Sequence, residues 1–221
     1  MLTYNDDNLA TPTLFANLDL AAKSAPNGIV AAVCCYSVRP DTVFFAGRMR
    51  AKWSDRFYYL DHDTPLSALG RGLRSVDMLH GMCTLFPMAV FDRVGLFDEQ
   101  TFPQVFADDD LLMRASRAGF SLQVALEAMV LNDRTKTGIN PYDRRSGPIR
   151  LIQLLVSRKS TFQLAARTRF QWRYRSSFYY FCKTWFFDYC RLFAVVSARW
   201  LLPLGTFHKI GVRWGQRLQR R

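Results

Sequence analysis

Residues 76–120 read VDMLHGMCTLFPMAVFDRVGLFDEQTFPQVFADDDLLMRASRAGF, and the fold is decided there. Met82 to Phe86 is a short apolar run of strand length. A helix-length piece follows and closes at Gly95, and a phenylalanine-rich loop then leads to three consecutive aspartates. From Asp108 onward Leu111, Ala115 and Ala118 recur at i, i+4 and i+7, with Leu112 beside them, so one helix face is apolar. Arg114 and Arg117 fall on the other face, and Gly119 supplies a C-terminal stop. Asp108 stands where an N-cap is expected, and carboxylates suit the positive end of a helix dipole. Asp110 precedes Arg114 by four residues, the spacing of an intrahelical ion pair.

Upstream, the first residues read as the end of a strand running into a polar turn at Asn5-Asp6-Asp7. Thr11-Pro12 opens a helix, with Leu14, Leu18, Ala21 and Ala25 as its buried stripe and Pro26-Asn27-Gly28 as its end. Ile29 to Tyr36 is continuously apolar, as in a strand covered on both faces. Strand, helix, strand is the unit of an α/β sheet. Val43 to Trp53 reads as strand interspersed with Arg48, Arg50 and Lys52. Asp61-His62-Asp63 reads as a solvated loop, because no further ligand has metal-site spacing. Leu69 to Arg74, with two glycines and two arginines, is a weak candidate for contact with a phosphate or an acceptor. Downstream, Ser121 to Leu126 and Ala128 to Leu131 read as two short strands.

Charge divides the chain. Of the net +12, residues 1–130 carry 11 Lys/Arg against 15 Asp/Glu (−4), whereas residues 131–221 carry 19 against 3 (+16). A nucleic-acid reading of the whole chain is therefore poorly supported. The five cysteines have no metal-like spacing and fit reduced thiols in a cytosolic compartment. His62, His80 and His208 form no zinc motif, and no secretory signal opens the sequence.

The run Gly95-Leu96-Phe97-Asp98-Glu99, then Phe102-Pro103, Ala107-Asp108, Arg114-Ala115 and Ala118-Gly119-Phe120, resembles the acceptor-side half of glycosyltransferase family 2 enzymes. The resemblance implies a partial GT-A fold over residues 1–133, an α/β sheet flanked by helices. It also implies that Asp108 is the general base that takes the acceptor hydroxyl's proton. Family members carry an Asp-x-Asp-like motif that binds a divalent metal on the donor diphosphate. Its best match is Asn5-Asp6-Asp7, with Asp7 as ligand and Asn5 in the first position. By itself that triplet also reads as an Asx-rich turn. Mg²⁺ or Mn²⁺ suits such oxygen ligands. The resemblance puts His80 and Gly81 at the acceptor side; Asp109 reads first as part of the helix start and is a weak candidate for acceptor contact. Asn132-Asp133 stands where many relatives have a histidine, which leaves that ligand in doubt. Met1 falls almost on the metal motif, so the expectation is a fragment of a longer enzyme or a chain that has lost donor binding.

Residues 134–148 read as a linker and 149–221 as basic amphipathic helices dense in aromatics. Lys183, Asp188, Arg191 and Arg199 interrupt every window long enough to span a bilayer, so helices lying on an anionic membrane surface fit better. The other reading is an appendage packed on the preceding domain or on a second copy, which leaves a homo-oligomer open. The combined expectation is an inverting glycosyltransferase at the cytoplasmic face of the cell membrane. It would move a sugar from a nucleotide-sugar donor to a glycan or lipid-linked acceptor in cell-surface polysaccharide synthesis. The alternative is a catalytically inactive, membrane-associated interaction module.

Overall fold

The apolar run at residues 29–36 forms the centre of the molecule. The computed structural model describes residues 1–133 and 148–202. In chain order it contains β1 (Leu2–Tyr4), β2 (Asn8–Ala10), α1 (Leu14–Ser24), β3 (Gly28–Tyr36), β4 (Arg39–Phe45), β5 (Arg48–Arg50), β6 (Phe57–Tyr59) and β7 (Leu73–Ser75). Then follow β8 (Cys83–Leu85), α2 (Met88–Val94), α3 (Ala107–Arg117), β9 (Ser121–Asn132), α4 (Pro148–Val156), α5 (Leu164–Arg173) and α6 (Phe178–Leu201).

Seven strands make one mixed sheet with the path β1-β8-β3-β9-β2; β4 joins β3 and β7 joins β9. The β3–β9 pair is parallel over its whole length, while β8 runs antiparallel to both β1 and β3. Because side chains alternate across a strand, Ile29, Ala31, Val33 and Cys35 face one apolar cluster with Leu111, Leu112 and Ala115 of α3. Val30, Ala32 and Cys34 face the other, with Leu14 and Leu18 of α1. The α/β arrangement expected from the sequence is present.

Two local expectations change. The strands at 121–126 and 128–131 are one strand, β9, whose register against β3 jumps between Ala32 and Val33. That slip absorbs the residues in between, so the sequence looks interrupted while the strand is continuous. The stretch 43–53 is broken into β4 and β5 at Gly47, which has φ +98°. The 61–63 loop is a tight turn: Asp61 pairs with Arg74, Asp63 accepts from Tyr36, and His62 bonds Phe44 O at 2.7 Å. No group of three or more His, Cys, Asp or Glu among the described residues could hold a metal. All five cysteines are free.

The line drawn between residues 1–133 and 149–221 is not a division of the core. Ala166, Phe170 and Tyr174 from α5 and its end sit in the same cluster as Phe102 and Leu111. The Phe170 ring stacks on Phe106 at 4.9 Å. Aromatics interleaved with arginine read as a membrane face in sequence, yet here one side of α5 closes the sheet domain. α4 and α6 build a smaller core from Leu154, Tyr189, Leu192 and Val196. The buried Asp188 of α6 ties that unit down by accepting from Arg167 (2.6 Å) and Gln171 (2.8 Å) of α5 and pairing with Arg56 at 3.3 Å. The linker expected at 134–148, apart from Pro148, and the basic residues from 203 onward, His208 among them, lie outside the described residues.

Candidate active site

β1 ends in the turn that carries Asn5, Asp6 and Asp7. The turn hangs on one carbonyl: Met82 O accepts from Asn5 N at 3.0 Å and from Asn8 Nδ2 at 2.7 Å. Asn8 also accepts from Asn132 Nδ2 at 2.9 Å, and Asp7 O accepts from Asp133 N at 3.0 Å, so the ends of β1 and β9 are joined beside the turn. Asn132, at the position where a histidine was in question, is therefore spent on the scaffold. Asp6 is exposed and Asn5 half-buried. Asp7 is only 6% exposed, and both of its carboxylate oxygens are buried without a hydrogen-bond partner among the described residues.

The second carboxylate arrives from α3. Asp108 does not cap this helix: the N-cap position is Phe106, held at φ +66°, with no side-chain cap bond. A left-handed conformation costs a bulky L-residue roughly 1–2 kcal/mol, and packing of the Phe106 ring against Phe170 and Phe102 stabilises it. Asp108 thus sits inside the first turn, and its carboxylate lies over Gly81. A Cβ on Gly81 would fall 2.0 Å from Asp108 Oδ2, so only glycine admits the carboxylate there. Among the described residues no hydrogen bond reaches this carboxylate. Burial first, and the neighbouring Asp109 charge second, push it up to about 6.

Gly81 and Met82 are consecutive, so one short backbone segment supports both Asp7 and Asp108. The remaining candidates serve the scaffold. His80 is buried and both ring nitrogens are used: Nδ1 accepts from Met82 N at 2.9 Å, and Nε2 donates to Ala32 O at 3.1 Å. Burial, aided by the Arg48 charge and opposed by the Ala32 bond, lowers it to about 4, so the ring is neutral. It holds the segment rather than facing an acceptor, which corrects the expectation for it. Asp109 pairs with Arg48 at 2.6 Å. Asp110 is fully buried and accepts from Arg114 (2.8 Å), Arg173 (2.8 Å) and Tyr174 (2.6 Å). The Arg114 pairing is the i, i+4 bond expected; Arg173 and Tyr174 come from the tail.

A divalent cation fits Asp7. Mg²⁺ and Mn²⁺ are commonly held by one or two carboxylates completed by substrate phosphates, and a cation would offset the cost of burying this carboxylate without a donor. A separate groove of about 620 Å³ lies between Thr11–Thr13, Gly70–Arg71 and Glu127. It contains Arg71 of the glycine-arginine stretch but neither Asp7 nor Asp108, and Arg74 of that stretch is occupied by Asp61.

Sequence reasoning missed Arg48 as part of this cluster. Its signal was only a basic residue in a strand-like run, 61 residues from its partner. A family model described as glycosyltransferase like family 2 matches residues 2–174. No curated protein matches the chain.

Proposed function

Because the chain belongs to the glycosyltransferase family 2-like proteins, we propose that it is an inverting transferase with Asp108 as base and Asp7 on the donor diphosphate. The observation that carries this reading is a pair of carboxylates without hydrogen-bond donors among the described residues, Asp7 buried and Asp108 half-buried, supported by the consecutive residues Met82 and Gly81. In the reaction Asp108 accepts the proton of the acceptor hydroxyl as that oxygen bonds to the anomeric carbon. The bond from that carbon to the diphosphate oxygen breaks, and a nucleoside diphosphate leaves. An acid near 6 is mostly ionised at neutral pH yet basic enough to take a proton. A divalent cation held by Asp7 and Asn5 would neutralise the leaving diphosphate. The acceptor is a glycan or lipid-linked saccharide of the cell surface.

Asp7→Ala tests the donor side. The variant loses Mn²⁺ binding measured by electron paramagnetic resonance in the presence of a nucleoside diphosphate. In metal-free buffer it is more stable than the native chain by about 1–3 kcal/mol, the cost of a buried group left unsatisfied, or a few degrees in Tm at this size. Unchanged Mn²⁺ affinity would remove Asp7 from the site.

We place the enzyme on the cytoplasmic membrane surface through α6. No helix among the described residues is long and apolar enough to cross a membrane. While Leu192 and Val196 are buried, Phe178, Tyr179, Phe186, Phe187, Phe193 and Trp200 are exposed. The sequence from residue 203 on adds five Lys/Arg and no acid, complementing anionic headgroups. The full chain is expected to sediment with phosphatidylglycerol vesicles, less so at high salt, and not with phosphatidylcholine. Changing Phe186 and Phe187 together to Ser should cost at least about tenfold in affinity, since burying one phenylalanine is worth roughly 1.5–3 kcal/mol. A chain that stays in solution with anionic vesicles at low salt overturns the placement.

A further inference from the structure

Arg48 sits where three elements meet. Its guanidinium Nη2 donates to Asp109 Oδ1 at 2.6 Å and to Leu79 O at 3.1 Å, with both side chains of the ion pair under one-fifth exposed. Its backbone is zipped to the same segment, Arg48 N donating to Met78 O and Met78 N to Arg48 O. The rings of Phe45, Phe57 and Tyr59 surround the guanidinium, each centroid 5.9 Å away. With Nη2 shared between two acceptors and rings around the guanidinium, the side chain has little freedom left. Two residues beyond Leu79 lies Gly81, the seat of Asp108.

We propose that Arg48 is a positioning residue for Asp108: by holding Leu79 O and the Asp109 carboxylate together, it fixes the segment under Asp108 and balances the charge beside it. The role goes beyond the base assignment and rests on it. Among the described residues four ionisable groups bear on Asp108. Asp109 adjoins it on α3, neutral His80 lies in the segment beneath, Asp7 occupies the turn held by that segment, and Arg48 acts through Asp109. Asp110 is turned into Arg114, Arg173 and Tyr174. Removing Arg48 leaves Asp109 unopposed, which disfavours a second negative charge at Asp108. Removing the Asp109 charge does the reverse. The two variants must therefore move Asp108 in opposite directions.

The experiment follows the Asp108 carboxyl carbon by NMR through a pH titration of the full chain with ¹³C-labelled aspartate. In Arg48→Gln its midpoint rises by about one unit, and in Asp109→Asn it falls by about one unit, the usual scale of a neighbouring charge. The double variant lies between them. A role in stability alone predicts a lower Tm without opposed shifts. Should Arg48→Gln alone not fold, the double variant decides, because its midpoint lies above that of Asp109→Asn only if Arg48 acts on Asp108. Arg48→Lys is the control: it keeps a positive charge beside Asp109, so the midpoint stays near the native value. Shifts of the same sign, or none in a folded Asp109→Asn, overturn the proposal. The readout needs no donor sugar, so its failure is distinct from failure of the base assignment, which is read from sugar transfer by Asp108→Asn.

Discussion

Asp108→Asn is expected to lower sugar transfer by about 10²–10⁴-fold, the usual contribution of a positioned base, while the protein stays folded and keeps its donor affinity. The amide has the shape of the carboxylate and no proton affinity. The stability side has a definite sign. The Asp108 carboxyl is raised to about 6 from an ordinary 3.8, so the folded chain holds that proton more tightly than the unfolded chain. Its contribution to stability is fully present below about pH 3.8 and is lost as pH rises through about 6. At pH 7 to 8, replacing it with an amide that never ionises should leave Tm unchanged or raise it. Had the side chain been a helix cap, the same change would cost about 1 kcal/mol, but the cap position is Phe106 and carries no such bond. An active Asp108→Asn with a lowered Tm would restore the capping role and remove the base.

Asp110→Ala should have the largest effect on stability. Asp110 is fully buried and takes hydrogen bonds from Arg114, Arg173 and Tyr174, which join α3 to α5. Truncating it removes the acceptor these three side chains share and leaves them only their outer bonds, Arg173 to Asp98, Arg114 to Val94 O and Leu96 O, and Tyr174 to the backbone O of residue 110. Breaking one side of a buried ion pair costs about 3–5 kcal/mol, against a total of roughly 5–15 kcal/mol for a typical domain. The expected loss is on the order of 10 °C in Tm. Tyr174→Phe, which deletes only the hydroxyl, should cost about 1.5–3 kcal/mol for a bond to a charged acceptor. A Tm within a degree or two of native for Asp110→Ala would mean that α5 is a loose appendage and that the core ends before it.

What the sequence disclosed depended on range. The β3 run, the apolar stripe of α3, the stop of α2 at Gly95 and the Asp110–Arg114 pair are local patterns, and each is present. Gly95 has φ +76°, a conformation its sequence context requested. The turn at Phe106 was hidden because a bulky aromatic gives no signal for a left-handed backbone; only its packing against Phe170, 64 positions later, makes it tolerable. Long-range pairing also hid Arg48 and His80: neither Asp109 nor Ala32 lies within a helical turn or a hairpin of its partner. The tail misled for a different reason. Aromatic and basic residues on one helix suit a bilayer surface and a protein groove equally well. Here α5 meets the protein, while much of the aromatic face of α6 stays exposed.

The most direct test of the site is the pH dependence of sugar transfer, measured as nucleoside-diphosphate release with Mn²⁺ present, in the native chain and in Asp108→Asn. The native rate should rise about tenfold per pH unit up to about pH 6 and then level, because only the ionised Asp108 accepts the proton. In Asp108→Asn that limb should vanish, leaving a low rate that is flat across the same range. The same limb with its midpoint near 6 in both proteins would show that another group carries the proton, and the account of this site would be wrong.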